Sequence, residues 1–255
     1  MKELCSLLFE LSNEDRLNIL QELKKKPMKL SRVSEKFDFT VPETARNLTR
    51  LSEASLIAKD VDGCFHLTPL GEAALLFLPS FEFISKHKKY FKTHTISNLP
   101  PEYAASIGAL KNSEFMNGIT EMMFYGENAI KEAEEFIWIG VDQILTSSLP
   151  LFTDAYARGV EVKKLMPRNA VIPPPILKLA NDPIFERAAR DKKLESRYLD
   201  ELDVFIFLTE KQVAAVCFKN LEGIFDWGSF RTNDKTALEW AKSLYLHYWE
   251  RAKRE

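Results

Sequence analysis

Apolar and polar positions alternate along this chain in two different periods, and the change of period divides it. Residues 3–25 have helical spacing: Leu17, Ile19, Leu20 and Leu23 make one stripe, Ser12 is a suitable N-cap with Asp15 three positions on, and Pro27 stops the run. Lys24, Lys25 and Lys26 sit where a helix dipole favours cations. Met28–Leu30 predicts a short strand, and Ser31 caps a helix through Phe37. Asp38 and Phe39 make a turn. Thr40 then opens a helix with Pro42 in its first turn and Glu43 completing a capping box. The spacing predicts Val41, Ala45, Leu48 and Leu51 buried there, and Glu43, Thr44, Arg46, Asn47 and Arg50 on the opposite face. Extended runs at Leu56–Val61 and Cys64–Leu67 flank Asp62-Gly63, a hairpin signal. Thr68-Pro69 restarts a helix that Pro79 is expected to end.

Beyond this, a helix over 80–98, a boundary at Pro100-Pro101 and a helical region to Glu135 are expected. The period then changes. The continuous apolar run 136–141 predicts a buried strand, followed by a helix over 148–158, a strand over 160–166 and a rigid connector at Pro173-Pro174-Pro175. A helix over 182–192, strands over 195–199, 204–209 and 212–218, and a closing helix over 233–251 complete the pattern. That helix places Leu238, Ala241, Leu244, Tyr245, Tyr248 and Trp249 on one broad face. The fold class expected is an α+β winged helix-turn-helix followed by an α/β domain with a mixed sheet. Three regions follow: a winged helix over 1–79, a helical linker or dimerisation region over 80–135, and an α/β effector-sensing domain over 136–255.

Bulk numbers exclude little. The formal net charge is −2, so a nucleic-acid partner must be argued from local pattern. Residues 1–79 hold eleven Lys and Arg against twelve Asp and Glu. The 80–98 segment, with four lysines against Glu82, makes the N-terminal third weakly positive. No apolar run is long enough to span a bilayer, and the N-terminus lacks a signal-peptide pattern. Three scattered cysteines argue for a reducing compartment, so the cytoplasm is expected.

The 41–53 helix is the candidate DNA reader. Arg46 and Arg50 are one turn apart; Arg pairs bidentately with guanine and Asn with adenine, so Asn47 joins them, with Thr44, Thr40 and Glu43 alongside. Ser31 and Arg32, opening the preceding helix, suit phosphate oxygens, and Lys59 and His66 flank a short acidic wing tip.

The stretch from Glu43 to Leu75 resembles the recognition helix, wing and following helix of ArsR-like regulators of bacteria and archaea, at Leu48, Leu51, Leu56-Ile57, Phe65, Leu67-Thr68 and Gly71. Ser55 stands where that group often has Gly, which implies a less tight turn. No Cys-x-Cys metal-sensing motif is present, so no metal is expected. Segments 130–144, 157–167 and 225–250 resemble the effector half of archaeal winged-helix regulators related to the methanogenesis regulatory protein. That half is similar to one repeat of the phospholipase D-like fold.

Phospholipase D chemistry needs His-x-Lys-x4-Asp. His87 and Lys89 begin that pattern, but position 94 is His, so no catalytic residue and no cofactor are expected. An effector pocket is expected instead at strand ends and the loop before the last helix, from Trp138, Asp142, Arg168, Trp227, Ser229 and Arg231. The expectation is a DNA-binding transcriptional regulator, a homodimer on double-stranded promoter DNA, whose C-terminal domain senses a small-molecule effector or mediates dimerisation. A winged-helix protein–protein adaptor and a degenerate phospholipase D-like enzyme are the alternatives.

Overall fold

The structure, a computed structural model, describes residues 1–143, 146–174 and 183–254, and the statements below concern those residues. The chain divides into two compact units, Met1–Pro79 and Ser80–Glu255.

The first unit opens with two helices where one was expected, α1 (Lys2–Leu11) and α2 (Glu14–Lys25). Asn13, not Ser12, caps α2: it leaves the helical region, and its side chain accepts from the Arg16 backbone N–H at 3.0 Å. Arg16 is buried beneath this break. Its guanidinium donates to the carbonyls of Glu10 (2.8 Å) and Phe9 (3.0 Å), which the end of α1 leaves without helical partners. Ser12 Oγ instead donates to the carbonyl of Phe9.

Then come β1 (Met28–Lys29), α3 (Leu30–Phe37), α4 (Val41–Glu53), β2 (Ile57–Lys59), β3 (Cys64–Leu67) and α5 (Pro69–Lys86). Asp38, in the left-handed region with φ of 54°, ends α3. The three strands pair antiparallel in the order β1-β3-β2, with Met28 opposite Phe65 and Ile57 opposite Leu67. In the β2–β3 turn, Asp60 Oδ1 accepts from the N–H groups of Asp62 (3.0 Å) and Cys64 (2.8 Å), and Gly63 takes φ of 80°. Ile19, Leu20, Val33, Leu48, Leu51, Leu56 and Leu75 fill the core of this unit.

Pro79 lies inside α5 and does not end it. A proline costs the helix one hydrogen bond. Leu75 is buried in the core of the first unit and Phe83 in that of the second.

The second unit contains α6 (Pro101–Ala105), β4 (Glu114–Met116), α7 (Ile119–Glu132), β5 (Phe136–Gly140), α8 (Leu149–Ala157), β6 (Glu161–Pro167), α9 (Pro183–Arg190), β7 (Leu194–Leu199), β8 (Val204–Thr209), β9 (Val213–Phe218), β10 (Ser229–Thr232) and α10 (Lys235–Arg251). Among the described residues the strands form one mixed sheet in the order β4-β10-β9-β8-β5-β6-β7. The β5–β6 and β6–β7 pairs are parallel and the others antiparallel. The expected α/β domain with a mixed sheet is therefore present. The 80–135 segment is not set apart from it: β4 is an edge strand of this sheet and α7 covers one face. The 80–98 segment is not one helix either. After Lys86 it continues as a single 3-10 turn over Tyr90–Lys92. Pro175, the last residue of the expected connector, lies outside the described residues.

Alternation along the strands assigns the two faces. Ile137, Val162, Met166, Phe205 and Phe207 point to α7 and α8. Leu165, Val204, Ile206, Phe218 and Phe230 pack with Phe83, Ile107 and the Trp240, Leu244, Tyr245 and Trp249 face of α10. The broad aromatic face of the last helix is thus used within its own unit. α7 lies close on the sheet at Gly126, where an added Cβ would come within 3.1 Å of the Phe207 ring.

Candidate functional site

Thr40 Oγ1 accepts from the Glu43 N–H at 3.4 Å, and α4 starts there as the capping pattern predicts. The helix is rotated by roughly half a residue from the expected orientation, with Leu48 and Leu51 buried as expected. Val41 is 60% exposed, whereas Thr44 and Asn47 are 0% and 5% exposed, on the buried stripe with Leu48 and Leu51. Thr44 Oγ1 donates to the carbonyl of Thr40 at 3.0 Å. The outward row is Pro42, Arg46, Thr49 and Glu53, spaced at i, i+4, i+7 and i+11. Thr49 was missed by sequence reasoning, although it lies across the helix from the 44/48/51 stripe.

Arg46 and Arg50 part company. Arg46 is exposed. Arg50 forms a two-point ion pair with Glu10 on α1, at 3.0 and 2.6 Å, and its guanidinium lies 5.2 Å from the Phe9 ring centroid. The hydrogen bond from Arg50 is the main reason that the Glu10 carboxyl is held below the usual carboxylate range; desolvation opposes it and Arg16 adds to it. Ser31 and Arg32 are exposed at the start of α3, with Arg32 paired to Glu35 at 2.6 Å. Lys59 is exposed on β2, its ammonium 5.5 Å from the Phe65 ring, and His66 is half-buried on β3. These six surface positions (Ser31, Arg32, Arg46, Thr49, Lys59 and His66) remain as a polar surface of the first unit. Glu43 is half-buried, and its backbone N–H is the one from which Thr40 accepts.

The corner that links α4, β2 and α5 is tightly tied. Thr68 Oγ1 donates to the Ser55 carbonyl (2.6 Å) and accepts from Gly71 N–H (3.1 Å), while Thr68 N–H donates to the Leu56 carbonyl (3.1 Å). A Cβ on Gly71 would lie 2.1 Å from the Leu56 carbonyl oxygen. Ser55 adopts φ of 58°, a conformation that glycine takes without strain.

In the second unit, a cavity lies between α7 and the sheet. Its walls include Met122, Ile130, Ile139, Phe152, Phe205, Phe207 and Trp227, and its volume is about 70 Å³. Lys164 and Glu127 are the charged residues on its lining. The six residues expected to form one effector pocket separate. Trp227 lines this cavity; Asp142 follows Val141, which also lines it. Burial pushes the Asp142 carboxyl up. Trp138 is on the opposite face of the sheet, stacked on Tyr245 at 5.3 Å with its N–H donated to Glu161 (3.1 Å). Strand alternation puts it there, two residues from neither Ile137 nor Ile139 but between them. Arg168 pairs with Asp200 at 3.2 Å. Ser229 and Arg231 are on β10, a strand rather than a loop. Ser229 is buried, and Arg231 pairs with Glu114 and lies 3.7 Å over the Tyr125 ring.

His87 and His94 line a groove with Lys86, Lys89 and Asp226. His94 Nε2 is 3.0 Å from Asp226, its Nδ1 is 2.9 Å from the Tyr90 carbonyl, and its ring stacks on Tyr90. Burial lowers the His87 pKa, with Lys86 adding to the effect. Among the described residues no group of three or more His, Cys, Asp or Glu is placed to hold a metal ion, and no helix is long and apolar enough to cross a membrane.

Residues 130–251 match the family described as methanogenesis regulatory protein FilR1, middle domain. No curated protein matches the chain. Among solved structures, TrmBL2, an archaeal chromatin protein whose structure shows a novel mode of DNA binding, is 17% identical over 95% of this chain and 94% of its own, with a TM-score of 0.46. NucT from Helicobacter pylori is 14% identical, with a TM-score of 0.40. Nuc from Salmonella typhimurium, a phospholipase D family member, is 12% identical, with a TM-score of 0.38. Each of the last two covers 56% of this chain and 99% of its own.

Proposed function

We propose that this chain is a DNA-binding transcriptional regulator. Its first unit is a winged helix-turn-helix of the ArsR-like kind, α4 reads the major groove, and the second unit senses a small ligand. The observation that carries this reading is the order α3–turn–α4–hairpin, with Arg46 and Thr49 outward on α4. A helix of that kind fits the major groove, and Arg46 can pair with guanine O6 and N7. Ser31 and Arg32 at the start of α3 and Lys59 on β2 are suited to phosphates. The match of residues 130–251 to a regulatory protein's middle domain supports the same role.

A two-fold operator requires two reading helices about 34 Å apart, so the active form is a homodimer. Leu4 and Leu8 on α1 and Leu70, Leu76 and Phe77 on α5 are exposed and offer apolar surface to a second copy. The expected site of action is the cytoplasm.

Binding of the full chain to the DNA upstream of its own coding sequence, against a random duplex and across a salt series, tests the reading. Affinity that is higher for the upstream DNA and falls steeply with salt supports it. A second reading, a protein–protein adaptor, is favoured by the excess of acidic residues in the first unit and the exposed Val41 beside the α4 start. Affinity no greater than for the random duplex would put the adaptor first.

A further inference from the structure

We propose that the groove between the end of α5, β4 and the β9–β10 loop binds a nucleoside phosphate, with its phosphate on Lys86, Lys88 and Lys89 and its base on the Phe115 ring. The three lysines reach this groove from the last residue of α5 and the turn that follows it. Phe115 reaches it from β4, Asn117 from just beyond that strand, and Asp226 from the loop between β9 and β10. All six belong to the second unit.

The charge points to an anion. Lys86, Lys88 and Lys89 are exposed, and among the described residues no carboxylate forms an ion pair with any of them. Glu82, the acidic residue nearest in sequence, reaches Lys111 instead, at 3.8 Å. Lys86 Nζ donates to the Lys111 carbonyl at 3.4 Å, which leaves its charge in place. Like charges held this close repel one another, and their summed field along a concave surface draws an anion to it. A phosphate group accepts from several ammonium donors at once.

Lysines alone would suit any polyanion; the rest of the groove selects the ligand. Its volume is about 600 Å³, that of a small-molecule site. Phe115 is 40% exposed, and its ring is held by those of Phe230 and Tyr90, with centroids 5.4 and 5.6 Å away. An aromatic ring fixed by its neighbours and partly open to water is a stacking surface for a planar group such as a base. Asn117 is exposed beside it, and a side-chain amide offers both a donor and an acceptor to a base edge. Asp226 Oδ2 lies 3.0 Å from His94 Nε2, and Oδ1 accepts from Gly228 N–H at 3.1 Å. The carboxylate is also exposed, so it has acceptor capacity left for a sugar hydroxyl. The same carboxylate would repel a phosphate placed next to it. That favours a ligand with its phosphate at the lysines over a nucleic-acid strand, which carries a phosphate at every residue.

This inference gives a ligand class to the sensing role proposed above and rests on that reading only for its consequence at DNA. The test uses the full chain without DNA. Titration calorimetry compares the common ribonucleoside 5′-monophosphates with their nucleosides and with ribose 5-phosphate. The expected result is saturable binding of at least one nucleotide, about tenfold or more tighter than its nucleoside and than ribose 5-phosphate. Lys88→Gln and Lys89→Gln together, both at exposed positions, should weaken that nucleotide about tenfold with the melting temperature unchanged. Phe115→Leu should remove the advantage over ribose 5-phosphate and keep the advantage over the nucleoside. No saturable binding of any nucleotide, equal binding of a nucleotide and either of its parts, or undiminished affinity in the lysine variant would overturn the assignment. So would a lysine variant that loses affinity for a random duplex while the native chain binds no nucleotide, since the lysines would then serve a DNA backbone. A separate titration of promoter DNA keeps the readings distinct: nucleotide binding in a chain that ignores promoter DNA removes the regulator reading and leaves the site.

Discussion

Arg50 closes on Glu10 at two points, Nε to Oε2 at 3.0 Å and Nη2 to Oε1 at 2.6 Å, and so ties α4 to α1. Arg46, one turn earlier, is exposed. The two arginines that share a spacing therefore differ in role. Arg50→Ala should lower the melting temperature and Arg46→Ala should leave it unchanged. The Glu10 carboxyl is depressed in the folded chain, chiefly by the Arg50 hydrogen bond, so its contribution to stability is complete above the ordinary carboxylate range and is lost as pH falls through the depressed value. Melting curves should show the gap between native and Arg50→Ala chains at about pH 7 narrowing toward about pH 3.

Gly71 has no room for a side chain. An added Cβ would lie 2.1 Å from a backbone oxygen, that of Leu56, which the Thr68 N–H also engages and which cannot move aside without breaking the corner. Gly71→Ala should destabilise the chain by about 2 kcal/mol, the cost of overpacking a rigid site. Chemical denaturation measures it.

Ser55 presents the opposite case. It occupies the left-handed region at φ of 58° in the turn between α4 and β2, so the turn is formed at the cost of strain rather than loosened. Ser55→Gly relieves about 1 kcal/mol of that strain and loses part of the gain to the greater freedom of glycine in the unfolded chain, for a net stabilisation of about 0.5 kcal/mol. The same denaturation experiment reads it with opposite sign.

Lys164 should make the chain more stable as pH rises. Its folded pKa is lowered to about 8 from 10.5, so between these values the unfolded chain holds the extra proton. The penalty is complete below about 8 and disappears as pH rises through 10.5. Lys164→Met should raise stability at neutral pH by roughly 2 kcal/mol and flatten the slope in that window. Denaturation midpoints of the two chains across the window check it.

Local chemistry made much of the fold legible in the sequence. The Asp62-Gly63 hairpin, the Thr40 start of α4 and the buried run of β5 depend on neighbours within a few residues, and each is where its signal placed it. What depended on distant partners was not legible. The break between α1 and α2 is stabilised by Arg16 beneath it, and α5 continues past Pro79 although a proline costs it a hydrogen bond. The short strands β4 and β10 carry little alternation; β10 pairs with β9, Phe230 opposite Val216, and β4 in turn pairs with β10, Phe115 opposite Phe230. The expected effector residues are not brought together, for a related reason: Arg168 and Arg231 pair with acidic residues far along the chain, Asp200 and Glu114. The rotation of α4 could have been read, since Thr44, Leu48 and Leu51 already share a stripe.

The most direct test of the regulator account is promoter binding by the native chain, Arg46→Ala and Arg50→Ala, each over a salt series. The account predicts that Arg46→Ala weakens upstream DNA by about 1–3 kcal/mol and narrows its advantage over a random duplex, while Arg50→Ala, at a temperature where it remains folded, keeps the sequence preference. An Arg46→Ala chain that binds upstream DNA as well as the native one, with the same salt slope, would contradict it.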